Sequence, residues 1–232
     1  MRGKIFKQDV QMFALFGFML LPIFYLSYTN KLGGQWNINP IILFILMAAM
    51  LLLSFAEIPI YNIRTKKPEL SDEKKELLSE FYSVPLADEI EGGDKLIFNT
   101  PITLNLGGFI LPVILAAYVA FNNPSFAALE TMLIIIMATH LFSEIKAGIG
   151  IVMPNYIGLI TIPFALILDP ENAATVVLVA GVFGILIGVI TSLFNINEKT
   201  EGSPSINLGG VGSFKAVYVT VLIAALLTYF PM

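Results

Sequence analysis

Cysteine is absent from this chain, histidine and tryptophan occur once each, and Lys, Arg, Asp and Glu together make up only 13% of its 232 residues. Each scarcity excludes something. Without cysteine there is no disulfide, no thiolate nucleophile and no Fe–S or cysteine–zinc site. A lone histidine, His140, rules out a multi-histidine metal site within one chain. A charged fraction of about half the usual ~25% argues against a water-soluble domain. Strict alternation of apolar and polar residues is also missing from the apolar runs, which argues against a β-barrel. There is no Ser-His-Asp order and no pair of membrane-embedded aspartates.

What the chain does have is apolar sequence, 56% of its residues. Seven runs come near the ~20 residues that cross a bilayer as a helix. They cover roughly 10–28, 40–60, 106–122, 126–145, 149–168, 173–194 and 211–230. The expected fold is an all-α membrane protein of seven transmembrane helices, a multi-pass protein of the cell membrane. Residues 1–61 hold helices one and two, 62–104 form a small cytoplasmic cap, and 105–232 hold helices three to seven.

Charge placement orients those helices. Arg2, Lys4 and Lys7 precede the first run, and Arg64, Lys66, Lys67, Lys74, Lys75 and Lys95 lie between runs two and three. Lys146, Lys199 and Lys215 fall on the same side, leaving only Lys31 on the other. Short positively charged loops stay in the cytoplasm, so the N-terminus is expected inside and the C-terminus outside. Trp36, Tyr25 and Tyr28 suit an outer interfacial belt. The first run lacks an A-x-A cleavage site and reads as an uncleaved signal anchor.

Within the cap, Ser71 with Asp72 and Glu73 reads as a helix start, since acids favour the positive end of the helix dipole. Leu70, Leu77, Leu78 and Phe81 form its apolar stripe and Pro85 ends it. Gly92-Gly93-Asp94 reads as a turn. Residues 96–98 and 102–104 are then expected to be extended.

Two similar elements open helices three and seven, Leu104-Asn105-Leu106-Gly107-Gly108 and Ile206-Asn207-Leu208-Gly209-Gly210. Both enter from the cytoplasm, which fits a 3+1+3 pseudo-repeat. Paired glycines at a helix entrance can present backbone N–H groups to a ligand. Equally, they can permit close helix crossing while Asn105 and Asn207 cap their helices. In helix six, Gly181, Gly184 and Gly188 share one face and read as packing residues.

Three further features could carry chemistry. His140 and Glu144 stand four apart near the inner end of helix four, where a His–Glu pair can relay a proton, bind a cation or simply satisfy itself. Gly148 and Gly150, followed by Pro154-Asn155-Tyr156, begin helix five either as a broken entrance lining a polar cavity or as a plain turn. Lys215, just inside helix seven, can snorkel or pair with Glu144 or Glu57.

These elements also carry a resemblance. Asn105-Leu106-Gly107-Gly108 with Pro112, Gly148-Ile149-Gly150-Ile151 with Pro154, and the glycines of helices six and seven occur in the order of a known set. Over residues 95–225 the chain resembles the uncharacterised prokaryotic membrane family called domain of unknown function 1614. The resemblance implies aspartates in helices six and seven, as in intramembrane aspartyl proteases; Ile190 and Lys215 stand there instead.

The function expected is a small-solute or ion transporter, or a channel-like protein, with a polar site near the cytoplasmic face. Asn105, His140, Glu144, Asn155, Asn207 and Lys215 would line it. An intramembrane-protease-like protein lacking its aspartates, inactive and serving to bind, is the alternative, and a structural subunit of a membrane complex is another. Expected partners are the lipid bilayer, a small polar ligand or ion, and further copies of the chain. No nucleic acid, metal or cofactor is implied.

Overall fold

The computed structural model describes residues 7–67, 72–82, 97–195 and 202–230. Helix α1, Lys7–Tyr28, leads through residues 29–39 to α2, Pro40–Leu52. Asn39 caps α2: its side-chain oxygen accepts from the N–H groups of Ile41 and Ile42, and Pro40 supplies a preset first-turn φ.

The chain then leaves helical geometry sooner than its hydropathy suggests. After a 3₁₀ turn at Leu53–Phe55 it becomes a ten-residue strand, β1, Glu57–Lys66. Pro59 cannot continue a helix, and Ile58, Ile60, Tyr61 and Ile63 favour extended backbone. The expected second span, 40–60, therefore stops at residue 55. The all-α expectation is corrected as well, because β1 pairs antiparallel with β2, Ile97–Asn105. A third strand, β5, Ile206–Leu208, adds parallel to β2, giving the order β1-β2-β5. Of the stretches expected to be extended, 96–98 and 102–104, residues 97–98 and 102–104 belong to β2 and Leu96 lies outside the described residues. The expected Ser71 cap, Pro85 stop and Gly92-Gly93-Asp94 turn lie outside the described residues.

A helix, α3, Asp72–Tyr82, stands between β1 and β2 in sequence. After β2 a π-helical turn at Leu106–Ile110 opens α4, Leu111–Asn122. Helix α5 covers Phe126–Phe142 and is followed by a small antiparallel hairpin of β3, Glu144–Lys146, and β4, Gly150–Val152. The expected fifth span, 149–168, shrinks to a 3₁₀ turn at Ile157–Ile160 and α6, Thr161–Leu168. Helices α7, Ala173–Leu193, and α8, Phe214–Leu227, complete the chain.

Two helical stretches, Gln8–Tyr28 and Pro170–Leu193, are long and apolar enough to cross a membrane. Five shorter apolar stretches accompany them, at Pro40–Phe55, Leu106–Asn122, Phe126–Phe142, Ile157–Leu168 and Phe214–Leu227. Helix α7 is apolar on all sides and buried along its length, so it forms the axis around which α4, α5, α6 and α8 pack. Small residues let the neighbours come close. Gly184 faces Ile135 and Gly188 faces Thr139 of α5, while Gly181 faces Thr220 of α8.

Hydrogen bonds tie one end of the bundle together. Gly33 N–H donates to Thr228 Oγ1 at 2.8 Å, Trp36 Nε1 to Thr175 Oγ1 at 3.2 Å, and Ser125 Oγ to Asp169 Oδ2 at 2.9 Å. The sheet, the β3–β4 hairpin and α3 occupy the opposite end.

There the two Asn-Leu-Gly-Gly elements meet. The parallel pairing sets Thr103 against Asn207 and Leu104 against Leu208, two residues out of step with the sequence echo. Backbone touches backbone where the strands turn into helices. A Cβ on Gly108 would overlap the Gly209 carbonyl oxygen, and one on Gly107 would overlap that of Met50. Gly209 itself has φ +74°, with Gly108 carbonyl atoms 2.6 Å from where its Cβ would stand. Of the two expectations for these glycines, close crossing is what the geometry presents.

Gly108→Ala should therefore destabilise the protein by on the order of 2–3 kcal/mol, an overpacking that neither backbone can relieve cheaply. Gly17→Ala, whose new methyl meets nothing within 4 Å, should cost nothing. Thermal melts of the purified variants check the contrast; equal melting temperatures would contradict the packing described.

Candidate polar pocket at the sheet end

A pocket of about 420 Å³ opens at the sheet end of the bundle. Its walls come from elements far apart in sequence. Helix α1 contributes Gln8, Asp9 and Met12; the end of α2, Ser54; α3, Phe81 and Tyr82; α5 and β3, Phe142, Glu144 and Lys146. The stretch Val152–Tyr156 and the turn from Gly210 to Lys215, Ser213 excepted, close it.

Lys146 organises one wall. Its ammonium donates to the Tyr82 hydroxyl at 3.1 Å, sits 5.6 Å from the centre of the same ring, and lies 3.6 Å from the Glu144 carboxylate. Chiefly the Tyr82 hydrogen bond, with Glu144 helping, holds the Lys146 ammonium above its ordinary range. A raised lysine value means that whatever this contact adds to stability is fully present below pH 10.5 and is lost only as pH climbs past the raised value. Across neutral pH the contact is constant. Tyr82 and Leu78 also pack on the Ile149–Val152 cluster, as does Val211, which docks α3 beside the pocket mouth. Leu77 and Phe81, expected in the same apolar stripe, are both exposed instead, and Leu70 lies outside the described residues.

The stretch before α6 is irregular, as both a broken entrance and a plain turn require. Residues 148–156 are not helical, and Gly148 and Gly150 have φ +86° and +100°. Irregular backbone here finds partners: Gly148 N–H donates to the Gly202 carbonyl at 2.8 Å and Met153 N–H to that of Gly212 at 3.2 Å. Asn155 and Tyr156 follow on the pocket wall.

The expected site residues divide accordingly. Glu144, Asn155, Lys215 and Gly210 line the pocket, whereas Asn105, Asn207 and His140 do not. Asn105 is fully buried and caps the α4 entrance, accepting from Gly108 N–H at 2.8 Å and donating to the Ser54 carbonyl at 2.6 Å. Asn207 accepts from Thr103 Oγ1 at 2.7 Å within the sheet. The shared helical face of His140 and Glu144 does not exist. Helix α5 stops at Phe142, Glu144 belongs to β3 and pairs with Lys146, and His140 is exposed, 3.4 Å from the Asn195 amide.

Sequence reasoning missed Asp9, Ser54 and Tyr82. Asp9 had a signal, an acid inside an apolar helix. Ser54 had none, because its place depends on where α2 ends.

The family model described as protein of unknown function (DUF1614) matches residues 51–227. The chain belongs to this family. The match starts earlier than the resemblance at 95–225, taking in the end of α2 with Ser54, and β1. Among the described residues of the pocket wall, those outside the DUF1614 match are Gln8, Asp9 and Met12 of α1. No curated protein and no solved structure matches the chain.

The contrast between buried Asn105 and exposed His140 gives a test. Asn105→Ala leaves a buried N–H and a buried carbonyl without partners and should cost about 2 kcal/mol or more. His140→Ala, at an exposed helix end, should stay within about 0.5 kcal/mol. Melting temperatures of the two variants decide it, and a large loss for His140→Ala would restore that residue to the site.

Proposed function

We propose that the chain is a seven-span membrane protein with a cytoplasmic N-terminus, and that its pocket is the cytoplasmic solute site of a small transporter or channel-like protein. The observation that carries the reading is the pocket's position. It lies at the bundle end that gathers the start of α1, the end of α2, the starts of α4, α6 and α8 and the ends of α5 and α7. Of the described Lys and Arg residues, only Lys31 falls at the other end, and cytoplasmic loops concentrate these residues.

Several features support a bilayer around the bundle. Large apolar side chains face outward on its periphery, among them Leu15 and Phe18 of α1, Ile45 of α2, Leu133 and Met137 of α5, and Ile167 of α6, all more than half exposed. A ring of this kind is expected of a lipid-facing surface and rare on a soluble one. The 4-residue 3₁₀ turn and the 8-residue α6 together reach about 20 Å, well short of the ~30 Å hydrocarbon core. A short helix with an irregular entrance beside a polar pocket is how many transporters build a substrate site. The π-helical turn at Leu106–Ile110 adds a second irregular helix start at the same depth.

The protease-like alternative draws no comparable support. Of the two positions where aspartates were expected, Lys215 lines the pocket and Ile190 does not. Two catalytic carboxylates placed there would not both face it.

The absence of native cysteine makes the topology directly testable. Single cysteines at Lys31 and at Arg64 should react with a membrane-impermeant maleimide from opposite sides of sealed vesicles. Reaction of both from one side would overturn the seven-span orientation. Purified protein in proteoliposomes should then give solute flux that Lys215→Gln reduces at least about tenfold. Flux that is absent for every small polar solute and ion tried would overturn the transport reading.

A further inference from the structure

The helices that expose apolar side chains around the bundle are short for an ordinary bilayer. Helix α5 has 17 residues, a length of about 25 Å. The 13 residues of α2 and the 3-residue turn after it reach about the same height. An ordinary hydrocarbon core is ~30 Å thick, and tilting a helix only lowers the height it covers. Helix α7 is buried and does not set this height. The part of α1 from Val10 to Tyr28 reaches about 28 Å, which a tilt within the ordinary range lowers to about 25 Å.

Two features keep the apolar surface from extending past these ends. At the sheet end α2 gives way to β1, the outer strand of the order β1-β2-β5, and among the described residues no strand pairs with its other edge. That edge carries backbone N–H and C=O groups, and open sheet edges do not occur in hydrocarbon. Ile58, Ile60 and Tyr61 of β1, though exposed, are thereby held at the level of the headgroups. At the far end α2 starts from the Asn39 cap, and α5 exposes Glu130 about one turn inside its start. Phe126, Leu129, Leu133 and Met137 around it are exposed and apolar. A thicker core would draw the Glu130 carboxylate deeper, where a lipid-facing charge costs more.

We infer that the protein carries a lipid-facing belt about 25 Å high and selects a thin bilayer, gathering phospholipids with short acyl chains around it in place of longer ones. The inference rests on the seven-span membrane reading, but not on the pocket or on transport.

Fluorescence quenching in vesicles tests it on the full chain. Leu133→Trp places an indole on the exposed face of α5, about one turn from Glu130, while native Trp36 is buried and adds a constant background. The variant is reconstituted in brominated dioleoyl phosphatidylcholine. Unbrominated dimyristoleoyl, dioleoyl or dierucoyl phosphatidylcholine then competes for the place beside the indole. The short-chain lipid should relieve quenching with a relative affinity about twofold above that of dioleoyl, and the long-chain lipid with one below it. Adding Glu130→Leu raises the apolar edge of α5 and should move the preference toward dioleoyl. Met137→Trp, on the same face, serves where Leu133→Trp does not fold.

Quenching with equal affinities for the three lipids, or with the highest affinity for dioleoyl or dierucoyl, would overturn the inference and leave the membrane reading standing. A short-chain preference that Glu130→Leu leaves unchanged would overturn the placement of the belt's edge, and with it the inferred height. No quenching of the added indole in pure brominated lipid would instead overturn the membrane reading itself.

Discussion

The close approach of two glycine-containing backbones, Gly107-Gly108 and Gly209, is the constraint on which the sheet end of this protein depends. Any side chain at 108 or 209 would push apart the strand-to-helix turns of β2–α4 and β5–α8. Any side chain at 107 would lift α4 from the end of α2, where a Cβ would stand only 2.8 Å from Ser54 N. Dispersion contacts between close-packed atoms are individually small, but they add along each helix that follows, and small residues are what permit that approach. Asn105 then locks the junction by bonding Gly108 on one side and the Ser54 carbonyl on the other.

Packing and pocket are therefore one construction. The turn that brings Gly209 against Gly108 continues through Gly210, Val211 and Gly212 into the pocket wall and delivers Lys215 in the next turn. The contact that seats Gly107 on α2 also fixes the backbone of Ser54, a residue of the pocket wall. Gly212 closes a second junction, with its carbonyl accepting from Met153 N–H at 3.2 Å. That bond places the broken entrance of α6. A site built this way is held by backbone contacts and not by side-chain rotamers, which favours a pocket formed before any ligand arrives.

Much of the helical plan was legible in the sequence because it depends on composition and length. The apolar runs located α1, α2, α4, α5, α7 and α8 to within a few residues at most ends. What hydropathy could not register was the change from helix to strand at Glu57, since Ile58, Ile60 and Tyr61 are as apolar as any helical residue. Pro59 and the β-branched content were the available signals, and the strand's partner lay some forty residues away. The same blindness extended α5 to Glu144 and produced a helical His140–Glu144 pair that the hairpin at Glu144–Lys146 removes. Asn105 and Asn207 were recognised as special, but Asn105 caps a helix and Asn207 bonds Thr103 within the sheet, so neither lines the pocket. Which pocket walls converge was not legible at all, because it follows from tertiary contacts among α1, α3, the hairpin and α8. Lys215 and Asn155 were found by being polar where the surrounding sequence is not; Asp9 carried the same signal.

The most direct test of the central contact uses the side chains one step before it. Thr103 and Asn207 are cross-strand partners, with hydroxyl and amide oxygens 2.7 Å apart. In the cysteine-free background, Thr103→Cys with Asn207→Cys should cross-link efficiently with a short bifunctional thiol reagent in native membranes. Pairing Thr103→Cys with a cysteine at Lys31, at the far end of the bundle, should not. Efficient cross-linking of the first pair alone would establish that the two Asn-Leu-Gly-Gly entrances lie side by side. Failure of that pair, in a protein that still folds, would contradict the junction and with it the account of the pocket.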